Sequence, residues 1–429
     1  MEMGDIMSDN KHAKKGSSSI AVKILLLVLV FIVVAGCSFV VYRFVFAKPK
    51  TNNIPATKPD IPTWNIPSQT QEATVAPTEK EDLKYRELAK KYMASMTETE
   101  KISQLFIVNP ELLTGVDAVT EAGDMTKEAL AKYNVGGILY SAKNLENAEQ
   151  TTELIKNSQS YAKTKMFIAV SEEGGTVSPC ADKLGTTKFN SMYSYRKNGA
   201  ETAKKNAKTI ATDIKKFGFN LNFAPVADVY SNKNSKLIGE RAYSDDFKEA
   251  EAFIPEAVKG FKEGGVIPAL KHFIGTGEAT QAEGQKYPYV TKTKEELIKQ
   301  ELPGFKAGIN AGAEILLVGN VVINDIDATC PASMSDKVIN GFIRDALKYD
   351  KIVITDNMQM KSITDTYGTK DVVVRSLKAG ADMILMPDNL DAAFTAVWDA
   401  IEKGEIKQSQ LENSVLKILT LKYKYGILQ

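Results

Sequence analysis

The sequence predicts an α/β fold, a closed (β/α)8 TIM barrel that forms one large domain behind an N-terminal membrane segment and a linker. Three observations lead to this fold class. Short β-branched apolar runs alternate with longer amphipathic stretches along most of the 429 residues. The short runs are apolar on both faces, which is typical of parallel strands covered by helices. Eight such runs can be counted, and eight strand–helix units suit a closed barrel.

The N-terminal segment predicts a single membrane span. Residues 24–42 read ILLLVLVFIVVAGCSFVVY without a charge, which is long enough to cross a bilayer as a helix. The lysines that precede this run favour a cytoplasmic tail. The alternative is that Val34-Ala35-Gly36-Cys37 resembles the box at which bacterial lipoproteins are cut and lipidated on the cysteine. Both interpretations place the large domain outside the cell.

A linker connects this segment to the barrel, because residues 48–80 are rich in Pro, Thr and Asn and show little apolar periodicity. The predicted organisation is therefore a cytoplasmic tail at 1–23, a membrane span at 24–47, an extracytoplasmic linker at 48–80 and the barrel at 81–429.

The predicted strands are short and rich in Ile, Leu, Val and Phe. In chain order they are 104–108, 136–140, 167–170, 221–225, 266–271, 314–319, 351–355 and 382–387. Amphipathic patterns predict helices that include 147–162, 201–217, 248–263, 294–311, 336–347 and 408–425. An open doubly wound sheet is the alternative architecture. Such a sheet normally carries a Gly-rich phosphate loop after its first strand, where this chain reads NPELLTG.

The charge pattern argues against a nucleic-acid-binding protein. The net charge is +1, and Lys and Glu are interleaved along the chain instead of forming a basic face. No His, Cys and carboxylate cluster has metal-ligand spacing, and no nucleotide loop is present, so neither a metal nor an organic cofactor is predicted. Cys180 and Cys330 are either a disulfide or two separate thiols. The oligomeric state is left open.

Polar side chains follow six of the eight predicted strands, at the point where each strand ends. Because the active sites of barrels lie at the carboxyl ends of their strands, this pattern predicts a polar pocket there. Any one of these residues alone is equally compatible with a helix cap. In chain order they are Ser171, Glu172 and Glu173, then Asp228, Lys271 and His272, Asn320, Asp356 and Asp388.

The segments around these strand ends resemble glycoside hydrolase family 3, in particular its single-barrel β-N-acetylhexosaminidase branch. The resemblance covers about residues 85–429. The similar blocks, in family order, are KISQLFIV, NVGGILY, EEGG, FNLNFAPVADV, GERAYSDD, KHFIGTGE, PASMS, VITDNMQM and AGADMILMP. The resemblance implies a retaining β-glycosidase that hydrolyses O-glycosidic bonds of extracytoplasmic or cell-wall glycans through a glycosyl-enzyme intermediate.

The resemblance also implies roles for individual residues. Asp356 matches the catalytic nucleophile, and a carboxylate there can form a glycosyl ester and stabilise an oxocarbenium-like transition state. Arg241, Lys271 and His272 match residues that bind the sugar, and Asp228 is expected to orient or support them. Without the resemblance, Asp356 reads as a helix N-cap and the cations as ordinary ion-pair partners.

The acid/base loop departs from the family pattern. The family carries an Asp-His dyad there, whereas this chain reads KHFIGTGEATQAEGQ, with Thr276 at the first loop His and with Ala282 and Gly284 at the dyad positions. The chain has only two histidines, His12 and His272, and neither fits the dyad.

The proton donor must therefore be another residue if the chain is an enzyme. Glu283 and Glu278 are the candidates, and the alternative is that both are solvated loop residues. Glu172 and Glu173 are weaker candidates. Two further substrate-binding positions differ from the family, which has Asp where this chain has Ser171 and His where it has Asn320.

Two functions of different class follow from this pattern. The first is a retaining β-N-acetylhexosaminidase-like glycosidase that uses Asp356 and either Glu283 or Glu278. The second is a membrane-tethered, glycan-binding pseudoenzyme that lacks the proton-transfer dyad. The sequence does not distinguish which sugar is bound.

Overall fold

The computed structural model describes residues 78–281 and 285–429, with side chains from residue 82 onward. The predicted tail, the predicted membrane span, Cys37 and most of the predicted linker lie outside the described residues. In the described part, no helix has both the length and the apolar character needed to cross a bilayer. The first described helix begins at Thr78, within the segment predicted as linker.

The core of the domain is a closed barrel of eight parallel strands, as predicted. The sheet order is β10-β1-β2-β3-β4-β5-β7-β9, and a parallel bridge between Ile354 and Met383 joins β9 to β10. The two remaining strands, β6 and β8, pair with each other beside the barrel. The strands are β1 (Phe106–Val108), β2 (Gly137–Leu139), β3 (Phe167–Val170), β4 (Leu221–Asn222), β5 (Ile267–Phe273), β6 (Tyr289–Val290), β7 (Ile315–Val318), β8 (Val322–Ile323), β9 (Ile352–Thr355) and β10 (Ile384–Leu385).

Helices surround the barrel and follow most of its strands. They are α1 (Thr78–Met93), α2 (Glu98–Ser103), α3 (Pro110–Thr114), α4 (Asp124–Lys132), α5 (Ala148–Tyr161), α6 (Pro179–Leu184), α7 (Ala200–Lys215), α8 (Phe247–Glu263), α9 (Lys294–Glu296), α10 (Leu302–Asn310), α11 (Lys361–Thr364), α12 (Thr369–Lys378), α13 (Leu390–Glu402) and α14 (Gln408–Lys424). Two segments are π-helical, Leu297–Glu301 between α9 and α10, and Lys337–Ala346 after β8.

Local sequence explains where several of these helices begin. Thr97 and Glu100 form a capping box before α2, and Asp246 accepts a hydrogen bond from Glu249 N at 2.8 Å at the start of α8. Asn389 does the same for α13 through Ala392 N, at 2.9 Å. Because each cap directly follows a loop, it fixes where the chain turns from the barrel rim into its covering helix.

The strand register sets the position of the candidate site. β7 pairs with β9 so that Val318 lies beside Thr355, the last residue of each strand. All four residues of β9 are buried, and full burial of an apolar side chain such as Val353 or Ile354 contributes about 1.5–3 kcal/mol. Asp356 therefore leaves the core at the carboxyl end of the barrel, which we call the barrel mouth.

At the opposite end of the barrel, its base, a lysine of the last helix is buried. Lys422 has no exposed surface, and its Nζ donates to Gln104 Oε1 at 2.7 Å. The same ammonium lies 5.1 Å from the centre of the Phe167 ring. Burial lowers the pKa of Lys422 to about 7, because no carboxylate compensates for its lost hydration.

Candidate active site

Three charged side chains from separate strand ends meet at the mouth, and we call this group the Glu173 clamp. The Glu173 carboxylate accepts hydrogen bonds from Arg241 Nε at 2.8 Å and from Arg241 Nη2 at 2.7 Å. Lys271 Nζ forms an ion pair with the same carboxylate. The side chains of Glu173 and Lys271 are 3% and 6% exposed, so the clamp is almost dry. Arg241 Nη1 also donates to Leu237 O at 2.8 Å, which fixes the plane of the guanidinium.

The clamp keeps its members charged. Burial would raise the pKa of Glu173, but Lys271 and Arg241 lower it to about 2. Burial would lower the pKa of Arg241, but the carboxylates of Glu173, Asp228 and Asp356 raise it above its usual value. Asp356 follows the last residue of β9, so its carboxylate lies at the same end of the barrel as the clamp.

Asp356 begins the loop that leaves β9. Its backbone N–H donates to Val318 O at 2.9 Å, and its Oδ1 accepts from Asn357 N at 2.7 Å. Among the residues that the structure describes, this is the one hydrogen bond on the carboxylate, so Oδ2 is left for a ligand. The N-cap of the following helix is Met360, which removes the alternative interpretation of Asp356 as a helix cap.

Asp228 holds the loop that follows β5. Its Oδ2 accepts from His272 N at 3.0 Å and lies 2.7 Å from His272 Nδ1, while its Oδ1 accepts from Thr276 N at 2.6 Å. Because an ionised carboxylate only accepts, the His272 ring donates Nδ1–H. Both oxygens of Asp228 are thus engaged, and the carboxylate positions the His272 ring through Nδ1.

Asn320 braces the segment that carries Asp356. Its Nδ2 donates to Asn357 O at 2.8 Å, and its Oδ1 accepts from Ser333 Oγ at 2.6 Å. The residue is 2% exposed, so its amide serves protein partners, and a direct sugar contact by Asn320 stays a prediction. Ser171, the other position that differs from the family, is half-buried directly after β3.

The loop that would supply the proton donor is held together where its two ends meet. Glu278 Oε1 accepts from Thr291 N and Lys292 N, both at 2.9 Å, so this carboxylate ties the two ends of the loop together. An antiparallel bridge joins Thr280 to Tyr289 just beyond it. Glu283, the other candidate donor, lies outside the described residues.

The carboxylate of Glu172 binds the start of a helix and so has a structural role. Its carboxylate accepts from Cys180 N at 2.7 Å and from Ala181 N at 3.3 Å, which caps α6. Burial raises its pKa to about 7, although these N–H groups lower it in part. Cys180 and Cys330 are both buried free thiols, so the structure shows no disulfide between them.

Sequence reasoning missed the organising role of Glu173 and a buried carboxylate behind the loop. Glu301 is 1% exposed, lies in the first π-helical segment and pairs with Lys292. Burial raises the pKa of Glu301 to about 7, against the effect of Lys292. A usable signal existed for Glu173 only, because two cations predicted at neighbouring strand ends require a buried counter-charge nearby.

The described residues contain no group of three or more His, Cys, Asp or Glu side chains arranged to hold a metal ion. The mouth instead presents a free carboxylate oxygen on Asp356, two cations held by Glu173 and a fixed imidazole. Such an arrangement can bind several hydroxyl groups while a carboxylate attacks an electrophilic carbon.

Comparison with known proteins places this barrel in a family. The profile described as the glycosyl hydrolase family 3 N terminal domain matches residues 97–421. Over 336 residues the chain is 28% identical to Beta-hexosaminidase A of Pseudoalteromonas piscicida, covering 72% of this chain and 56% of that protein. It is 25% identical to Beta-hexosaminidase LpqI of Mycobacterium tuberculosis, covering 77% and 84% of the two. The chain thus spans little more than half of the first of these relatives.

Solved structures agree with this assignment. A glycoside hydrolase family 3 β-N-acetylglucosaminidase from a Paenibacillus species superposes with a TM-score of 0.72 and 29% identity, covering 78% of this chain and 63% of that one. The M. tuberculosis LpqI structure superposes with a TM-score of 0.68 and 24% identity, covering 77% and 95%. The second likeness shows the fold alone.

Proposed function

We propose, from the premise that this chain belongs to glycosyl hydrolase family 3, that it is a retaining β-N-acetylhexosaminidase-type glycosidase with Asp356 as nucleophile. The observation that supports the proposal best is the convergence of three strand ends. Asp356 leaves β9 at the barrel mouth, where Glu173 holds Arg241 and Lys271 in one fixed arrangement. Relatives of this chain are named β-hexosaminidases, which supports an N-acetylhexosamine as the sugar.

The reaction proceeds in two displacements. The free Oδ2 of Asp356 attacks the anomeric carbon, the bond to the leaving oxygen breaks, and a glycosyl ester forms on Asp356. Water then hydrolyses this ester and restores the carboxylate. Arg241 and Lys271 donate to sugar hydroxyls, because neither has an acceptor that would compete for the same hydroxyl hydrogens. His272, oriented by Asp228, adds a further polar contact.

Glu283 is the proton donor in this proposal. A positioned general acid contributes about 10²–10⁴-fold to the rate, so an enzyme acting on natural glycans requires one. The carboxylate of the other candidate, Glu278, already accepts hydrogen bonds from two backbone N–H groups where the loop ends meet. Glu283 lies five residues further along the sequence, between the two positions where the family carries its dyad.

The site of action in this proposal is outside the cell. In this proposal, residues 24–47 hold the protein in the membrane, the residues from 48 to the start of α1 at Thr78 form the linker, and the barrel acts on glycans such as cell-wall fragments. The supporting observation is the long uncharged run of the N-terminal segment, with lysines before it.

A glycan-binding protein without catalysis is the second candidate. It is favoured by the loss of the family dyad, since the chain has only two histidines, and by the structural use of Glu278. In that case the Glu173 clamp binds a saccharide that is never cleaved.

Aryl β-N-acetylglucosaminides with good and poor leaving groups separate these candidates. If the chain is an enzyme, wild-type protein releases the aryl alcohol from the activated substrate, and Asp356→Ala abolishes the release. Glu283→Gln slows the poor leaving group much more than the good one, because only the poor one needs protonation. Saccharide binding by calorimetry together with no release from the activated substrate would support the binding protein instead.

A further inference from the structure

Glu301 is a buried carboxylate that the proposed reaction does not use. It lies in the π-helical segment before α10, and its side chain has no exposed surface. Its Oε1 pairs with Lys292 Nζ at 2.5 Å. Among the residues that the structure describes, its Oε2 has no hydrogen-bond partner. Because a buried carboxylate with an unsatisfied oxygen is costly to keep, its place in the fold requires an explanation.

Glu301 lies directly against the turn that follows β5, and we call residues 274–278 the β5 turn. Gly275 has a φ of +78°, and a methyl group at this position would lie only 2.6 Å from Glu301 Cδ. The absence of a side chain at Gly275 therefore allows the carboxyl group to approach the backbone of the turn. A change in the charge of this carboxyl group acts on the turn without an intervening side chain.

The β5 turn is also bound to the residue that holds the imidazole at the mouth. Thr276, the next residue after Gly275, donates its N–H to Asp228 Oδ1 at 2.6 Å. The other oxygen of Asp228 accepts from His272 N at 3.0 Å and lies 2.7 Å from His272 Nδ1. The path from Glu301 to the His272 ring thus consists of the backbone of one turn and a single carboxylate.

Lys292 connects Glu301 to the returning end of the acid/base loop. Its N–H donates to Glu278 Oε1 at 2.9 Å, and its Nζ lies 3.9 Å from Glu278 Oε2. The Phe247 ring of α8 covers the ammonium, with its centre 4.5 Å from Nζ. Glu301 therefore contacts the chain both where the loop leaves β5, at Gly275, and where it returns, at Lys292.

We propose that Glu301 is a positioning residue of the sugar-binding site, which sets the orientation of the His272 imidazole through the β5 turn. Its contacts with Gly275 and Lys292 fix the turn, and the turn fixes Asp228 through Thr276 N–H. The role in sugar binding rests on the function proposed above. The link from Glu301 to His272 does not depend on catalysis.

The ionisation of Glu301 makes this link measurable. Burial raises its pKa to about 7, Lys292 opposes this effect, and the carboxylates of Asp228 and Glu278 raise the pKa further. Above this pH the ionised carboxylate pairs with Lys292. Below it the neutral carboxyl group can also donate a hydrogen bond, and Lys292 retains only Glu278 as a charged partner. The support of the β5 turn therefore differs between the two forms.

Histidine NMR of the full-length protein in detergent micelles tests the proposal. The chain has two histidines, so a ¹³Cε1-histidine label in His12→Gln protein reports on His272 alone. Titration of the ring itself is common to this protein and to the same protein with Glu301→Gln, so their difference curve isolates the effect of Glu301. We expect a step in this difference curve with a midpoint near pH 7. Glu295→Gln, at a carboxylate of α9 that is 75% exposed, is the matched control and should give no step.

Lys292→Met is a second, independent test. It leaves the Glu301 carboxyl group in place but removes the cation that lowers its pKa. The step in the His272 signal should therefore move to higher pH, by about 1–3 units. Circular dichroism melts show whether the barrel stays folded in each variant, and Lys292→Met decides the matter if Glu301→Gln does not fold.

Calorimetric titration with N-acetylglucosamine measures the consequence for binding. Affinity should be several-fold higher at pH 8 than at pH 6, and Glu301→Gln should reduce this difference. A flat difference curve for Glu301→Gln, an equal step in Glu295→Gln, or a step that does not move in Lys292→Met would overturn the positioning role. A lack of saccharide binding at both pH values would overturn its part in sugar binding. Absence of aryl release with all of these results unchanged would count against the proposed catalysis alone.

Discussion

At the mouth, the barrel buries the Glu173 carboxylate between the cations of Arg241 and Lys271, whereas at the base it buries the Lys422 ammonium against the Gln104 amide. The pKa of Glu173 falls to about 2 because its cations outweigh the effect of burial. The pKa of Lys422 falls to about 7 because burial acts there without a counter-charge. The Glu173 clamp therefore stabilises ionised groups, whereas the surroundings of Lys422 favour the neutral amine.

This difference suits the two ends of the barrel to different roles: the clamp at the mouth can bind a ligand, whereas Lys422 at the base contributes to packing. Charged groups that are held rigidly and kept ionised can recognise a polar ligand without reorganising, and this is the requirement at the mouth. A lysine that is half deprotonated near neutral pH contributes mainly packing and one hydrogen bond. The position of a buried charge in the barrel is thus less informative than the presence of a counter-charge beside it.

Removal of the Glu173 charge should have the largest effect. Glu173→Gln leaves Arg241 and Lys271 buried without their counter-charge, which typically costs about 3–5 kcal/mol of unfolding free energy. It should also abolish saccharide binding. The measurement is urea denaturation together with calorimetric titration. Glu172→Gln is the matched control, since Glu172 only caps α6 and its loss should cost about 0.5–2 kcal/mol. Equal effects of the two variants would contradict the role of the clamp.

Replacement of Lys422 should act in the opposite direction. Lys422→Met removes an ammonium that is buried without a carboxylate and fills the same volume, so we expect a gain of about 1–3 kcal/mol at pH 7. Part of the gain is offset because Gln104 Oε1 loses its donor. Thermal unfolding should therefore occur several degrees higher. A clear loss of stability would show that the base, like the mouth, requires its charge.

The pH dependence of stability sharpens the same comparison. Unfolded Lys422 has its ordinary pKa near 10.5 and folded Lys422 one of about 7, so the unfolded state binds more protons between these values. Stability contributed by this group is therefore lowest below pH 7 and rises as the pH increases through that window. Denaturation at pH 7 and pH 9 should give wild-type protein a larger increase than Lys422→Met. Parallel changes in both proteins would contradict the assignment.

The smallest effect on stability is expected from replacement of Glu278, which joins the two ends of the acid/base loop. Glu278→Gln weakens the hydrogen bonds from Thr291 N and Lys292 N, so stability should fall by about 1 kcal/mol. Good and poor leaving groups should be affected equally. A selective loss on the poor leaving group, with stability unchanged, would identify Glu278 as the proton donor and remove that role from Glu283.

All eight barrel strands could be predicted from the sequence, because runs that are apolar on both faces have few other uses. Six of the predicted strands were longer than those observed, whereas β3 has the predicted bounds and β5 extends two residues further, to Phe273. The two π-helical segments could not be foreseen, because they share the apolar spacing of an α-helix over so short a length. β6 and β8 have two residues each, too few for a periodic signal.

For the candidate site, some residues were predicted from the sequence and others were missed. Asp356, Arg241, Lys271 and His272 were identified through resemblance, and the structure brings Asp356, Arg241 and Lys271 to one mouth. The role of Glu173 was missed because its partners lie after other strands, and the only sequence signal was the presence of two cations at neighbouring strand ends. Glu278 was predicted as an acid from its loop position alone, whereas its orientation depends on Thr291 and Lys292 in the returning strand.

Trapping with a fluorinated N-acetylhexosaminyl donor tests the central claim most directly. Such a donor slows hydrolysis of the glycosyl ester, so the intermediate accumulates and can be located by mass spectrometry. We expect one glycosyl adduct in the tryptic peptide of residues 352–361, on Asp356, and none in Asp356→Asn. An adduct on another residue, or turnover of the activated aryl glycoside by Asp356→Asn at the wild-type rate, would contradict the assignment of Asp356 as the nucleophile.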